Sequence, residues 1–177
     1  MMFYAVVFVI ALLSIIVQYF VPSVPWLYGA QLSIVSLVVF YAAIAFPLPL
    51  ALLLCSVCGL LWDMLTVLVV NGELDRPLAW TAVHYGVITI VIQLLNSSEK
   101  PDKWTAHCLL CGFGTLFILT MGYLYITLQR GGMFFPLLLW WKVLWSAILS
   151  SIFAPLAYLI LEYARKQFNP VKSRIIS

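Results

Sequence analysis

The 177-residue chain predicts an all-α, polytopic membrane protein with six transmembrane helices and both termini on one side. Three observations carry that expectation. Apolar residues make up 65% of the chain and charged ones 8%; the mean hydropathy is +1.11; and six long apolar stretches alternate with short polar or proline-bearing breaks. Soluble domains do not have this composition. A helix crosses a hydrocarbon layer of about 30 Å with about 20 apolar residues. Six spans and short links therefore occupy the chain as one domain, 1–177, leaving no room for an extramembrane catalytic unit. Continuous apolar runs exclude a barrel, and backbone amides in lipid must pair within helices.

The first span, residues 2–21, ends at Pro22-Ser23-Val24-Pro25, where two prolines stop a helix. It has no basic leading region and is longer than the roughly 7–15 apolar residues of a cleaved signal, so it is read as permanent. The second span, 26–46, starts at Trp26, an aromatic suited to the interface, and stops at Pro47-Leu48-Pro49. The third, 48–70, gives way to the turn-rich Asn71-Gly72-Glu73-Leu74-Asp75-Arg76-Pro77. The fourth, 78–95, precedes a hydrophilic stretch, 96–103, and the fifth covers 104–128 up to the turn Gln129-Arg130-Gly131-Gly132. The sixth, 134–161, is long enough at ~1.5 Å per residue to tilt or to emerge from the bilayer. Residues 162–177 form a basic tail.

An even number of spans puts both termini on one face. Arg165, Lys166, Lys172 and Arg174, with Lys100 and Lys103, mark that face as cytoplasmic, against Arg76 and Arg130 on the other. The topology is thus N-in and C-in. A net charge of +3 follows from this topology and from contact with anionic membrane lipid, not from nucleic acid.

Two charges fall well inside the spans, Asp63 and Lys142. A charge at bilayer depth costs at least about 2.5 kcal/mol and faces inward towards a partner. Both sit at similar distances from the outer surface, which predicts an Asp63–Lys142 contact clamping the third and sixth spans; such a clamp, or a lysine that snorkels to the surface, is favoured over a transport or catalytic role. Cys55, Gly59 and Asp63 recur every four residues as a small-residue stripe that lets another backbone approach. His84 lies at a comparable depth, either joining this cluster or resting at the interface. In the sixth span Ser146, Ser150 and Ala154 form a second small-residue ridge for helix packing.

Two Cys-x-x-Cys pairs, Cys55/Cys58 and Cys108/Cys111, do not have zinc-ribbon spacing and lie within apolar spans, so they are read as packing residues; no metal and no cofactor is expected. Phosphate-binding glycine loops, His-Glu-x-x-His and Gly-x-Ser-x-Gly are absent from the sequence, and Asp63 has no second acid at its depth. An enzyme is therefore not expected.

The segment Cys58-Gly59-Leu60-Leu61-Trp62-Asp63-Met64-Leu65 resembles the Gly-Leu-x-x-Asp segment of the rod-shape-determining MreD family. The closing stretch from Trp145 to Arg165, with Ala154-Pro155-Leu156 inside it, is similar to that family's last helix and basic tail. The resemblance implies a non-enzymatic inner-membrane scaffold of the bacterial cell-elongation complex. Its partners would be MreC and an elongation polymerase and transpeptidase, a SEDS-type glycosyltransferase with a class B penicillin-binding protein. It also implies a six-helix bundle like the substrate-binding subunits, or S-components, of energy-coupling-factor transporters. Such a vitamin or micronutrient subunit is the alternative reading, with Asp63, His84, Lys142 and the 71–77 loop around a pocket. Ala5 and Ala11 do not make the Ala-x-x-x-Ala docking ridge associated with that class.

Overall fold

Among the described residues, leucine, isoleucine, valine and phenylalanine runs bounded by proline fold into six α-helices. The computed structural model describes residues 2–66, 69–70, 73–74, 77–96, 103–129 and 136–168. The helices are α1 (Met2–Phe20), α2 (Ile34–Ala45), α3 (Leu48–Thr66), α4 (Trp80–Asn96), α5 (Lys103–Gln129) and α6 (Leu137–Phe168). Between α3 and α4 a two-residue strand β1 (Val69–Val70) pairs antiparallel with β2 (Glu73–Leu74), Val69 opposite Leu74 and Val70 opposite Glu73. Among the described residues, four helices, α1, α3, α5 and α6, are long and apolar enough to cross a membrane; α2 and α4 are shorter apolar helices.

The core is built around α2. Every residue from Val35 to Ala43 is buried, and α2 touches each of the other five helices. A helix that is apolar on all sides is stable only when enclosed in this way. Around it α3 pairs with α4 and α5 with α6.

The second expected span is corrected here. Its helix begins at Ile34, not Trp26, and the preceding chain is a 3-10 turn at Pro25–Leu27 followed by an irregular descent. Tyr28 and Gly29 take left-handed backbone angles, φ 57° and 75°, which end helical geometry; glycine, without a Cβ, adopts this conformation readily at position 29. The amide of Val24 donates to the carbonyl of Ala30 at 2.8 Å and closes the loop.

Beyond it, side chains from distant helices meet the backbone donors. The Gln31 amide donates to Ser146 Oγ at 3.1 Å, the Ser33 amide to Ser150 Oγ at 3.4 Å, and the Val35 amide to Gln18 Oε1 at 2.7 Å. At the other end of α2, Gln93 Nε2 donates to the carbonyls of Ala43 and Phe46 at 2.7 and 2.9 Å. Irregular backbone at the rim of an apolar bundle is held by such partners.

Two other boundaries differ. The third helix ends at Thr66, before the β1–β2 ladder, and α6 continues to Phe168, so that residues 162–168 of the expected tail are helical. Arg76, Lys100, Arg130, Lys172 and Arg174, on which the expected orientation rests, lie outside the described residues.

Candidate functional site

The α3 face that carries Cys55, Cys58, Gly59 and Asp63 is buried. A Cβ at Gly59 would run into the backbone of Ala82 in α4, so the two helices meet backbone to backbone at this point. One turn further on, Asp63 is 2% exposed. Its Oδ2 accepts the Thr81 amide at 2.8 Å and its Oδ1 accepts the Thr81 hydroxyl at 2.5 Å. Thr81 is the second residue of α4, where amides have no partner within the helix. A carboxylate there also faces the positive end of the helix dipole. Asp63 thus caps α4 from the neighbouring helix, and Cys55 Sγ with Thr89 Oγ1, 3.0 Å apart, continues the seam.

The expected Asp63–Lys142 clamp is replaced by this cap. Asp63 faces α4 because α3 packs on α4, whereas α6 packs on α5. Among the described residues the ion pair is Glu162 with Arg165, at 3.3 Å. His84 does not join Asp63 either: its Nδ1 donates to the Trp80 carbonyl at 2.7 Å, and its ring lies against those of Trp80 and Phe117.

Lys142 does not face inward as expected: it is exposed, at the edge of a half-open pocket of about 300 Å³ bordered by α1, the irregular 31–33 segment, α2, α3, α4, α5 and α6. Gln18, Ser33, Ser36, Thr81, Tyr85, Thr115 and Ser146 contribute polar groups, and Trp62, Trp80 and Tyr123 aromatic walls. Ser33 Oγ and Ser36 Oγ are 2.5 Å apart, and Ser36 Oγ and Tyr85 OH 2.9 Å apart, forming a chain of hydroxyls at the start of α2. Thr115 Oγ1 and Trp80 Nε1 are buried without a hydrogen-bond partner among the described residues. Lys142 is the one formal charge among the described lining residues. Asp63 and His84 stand behind this wall, next to Trp62, Thr81 and Trp80.

Ser146, Ser150 and Ala154 are buried on α6. The two serines do more than permit close packing, since their hydroxyls hold the 31–33 segment while donating to the carbonyls of Lys142 and Ser146. The neighbouring Ser151 hydroxyl donates to Cys108 O in α5 at 3.2 Å.

Sequence reading missed most of the cavity. Gln18, Gln31 and Ser33 were visible as polar residues inside apolar runs, and with Gly29 they were the signal for a broken helix. Thr81, Tyr85 and Thr115 carried no such signal, being common in buried helices. A second missed cluster lies at the opposite end of the bundle: Tyr41 OH donates to Glu162 Oε2 at 3.1 Å, and buried His107 donates from Nε2 to Leu37 O at 2.9 Å. The cysteines are free, and among the described residues no group of three His, Cys, Asp or Glu side chains could hold a metal ion.

Fold and site together define a helical membrane protein with a half-length central helix and, at that helix's N-terminal end, a mainly apolar cavity carrying a few polar groups. Compared with known proteins, the chain matches no family model, no curated protein and no solved structure.

Proposed function

We propose that the chain is a non-enzymatic subunit of the bacterial cell-elongation complex, an MreD-like scaffold that crosses the inner membrane six times with both termini in the cytoplasm. It binds MreC and supports the polymerase and transpeptidase that extend lateral peptidoglycan. The observation that carries this reading is the use made of Gly59 and Asp63, the residues of the Gly-Leu-x-x-Asp segment. Gly59 admits the α4 backbone and Asp63 caps it, so the acid serves architecture, and both its oxygens are occupied. Function then falls to the lateral helix faces, where contact between helices in lipid works through close packing and interhelical hydrogen bonds.

One observation favours a second reading, a substrate-binding subunit of an energy-coupling-factor-type transporter: a cavity with a few polar groups lies beside irregular backbone, as substrate sites do in many secondary transporters. Affinity purification of the tagged protein from native membranes in mild detergent, with mass spectrometry of bound proteins, separates the two. Recovery of MreC with the polymerase and transpeptidase is expected. Recovery of an ATPase with a coupling subunit instead would overturn the scaffold reading.

A further inference from the structure

We propose that the cavity at the N-terminal end of α2 is a binding site for a monoanionic amphiphile. Its anionic head is held by Lys142 and Thr115 and its apolar body lies between Trp62 and Trp80.

Three independent features converge on this chemistry. Lys142 supplies a single positive charge, and no carboxylate lines the described cavity wall; the nearby carboxylate of Asp63 is already bonded through both oxygens to Thr81. Thr115 is 2% exposed, yet its hydroxyl has no partner among the described residues while it lines the cavity. Burying a hydroxyl without a partner is unfavourable, and a ligand acceptor removes that cost. The N-terminal end of α2 opens on the same space through Ser33 and Ser36, and a helix N-terminus favours negative charge.

One cation matches one negative charge, which suits a carboxylate or a phosphodiester better than a dianion. The walls decide the rest of the molecule. Trp62 and Trp80 offer flat apolar surface beside the polar end, and Trp80 Nε1 is a further buried donor without a partner among the described residues. A cavity of about 300 Å³ is at the lower limit for small-molecule sites, which run from about 300 Å³ upwards. It therefore accommodates a compact planar acid whole, or the head and upper chain of a lipid.

This inference goes beyond the scaffold reading and does not depend on it, and under the transporter reading it names the ligand chemistry. Its test measures binding to the purified full chain, so its failure is separable from that of either assembly.

Native mass spectrometry in a neutral detergent compares phosphatidylglycerol with phosphatidylcholine, and calorimetric titration compares 2-naphthoate with 2-naphthylmethanol. At least one anionic probe is expected to bind about tenfold more tightly than its partner, a difference well within reach of one charge contact. That preference is expected to vanish in Lys142→Gln, to survive in Lys142→Arg and to weaken in Thr115→Val, which keeps the side-chain shape and serves as the second readout if the lysine variant misfolds. Preference for the lipid identifies a membrane source, and preference for the naphthoate a soluble one. No preference in either pair, or a preference unchanged in both Lys142→Gln and Thr115→Val, overturns the proposal.

Discussion

The carboxylate of Asp63 in α3 takes both the amide and the hydroxyl of Thr81 at the start of α4, at 2.8 and 2.5 Å. Replacing Asp63 with Asn presents an amide donor to one of two donors, and the unmet group costs about 1–3 kcal/mol. Asp63→Asn is expected to lower the midpoint of thermal unfolding in detergent, and Asp63→Leu to lower it further. Equal midpoints for wild type and both variants would refute the cap.

Gly59 is predicted to tolerate no side chain. Overpacking costs about 1–3 kcal/mol, and here the obstacle is the backbone of Ala82. Gly59→Ala should therefore destabilise, and Ala82→Gly in the same chain should not restore stability. Rescue by Ala82→Gly in thermal melts would mean that the helices separate more easily than the geometry allows.

The irregular entry to α2 depends on donors matched from afar. Ser146→Ala and Gln18→Leu each strip an acceptor from a backbone amide, those of Gln31 and Val35. Hydrogen–deuterium exchange of a peptide covering residues 28–37 should be slow in the wild type and accelerate in each variant. Unchanged exchange would show that other groups hold this segment.

Cysteine exposure separates packing from metal binding. Cys55, Cys58 and Cys111 are buried and Cys108 is half-buried. N-ethylmaleimide should add once to the folded protein, at Cys108, and four times after denaturation, matching the four cysteines of the chain. Zinc at micromolar concentration should leave this pattern unchanged; protection of Cys108 by zinc would contradict the packing role.

Much of the helical layout was legible because its causes are local. Prolines at 22, 25, 47, 49 and 101 and the hydropathy of each run act residue by residue on the chain's own backbone and solvation. α1, α3, α4 and α5 accordingly start and end within a few residues of the expected limits. The break before α2 was not read, although Gly29, Gln31 and Ser33 marked it. An apolar run with scattered polar residues forms a helix unless other groups satisfy its amides, and those groups, Ser146 and Ser150, lie 115 and 117 residues further along the chain.

The same division holds at the site. The sequence by itself pointed to Asp63 as an acid in need of a partner, since a short carboxylate side chain deep in an apolar span is costly to leave unpaired. Which partner it meets was a choice between a neutral threonine and a lysine at matching depth, and only the packing of α3 on α4 decided for Thr81. Lys142 was thereby left to the cavity. Solvation energy is written in the composition of each segment, whereas the pairing of side chains depends on which helices become neighbours.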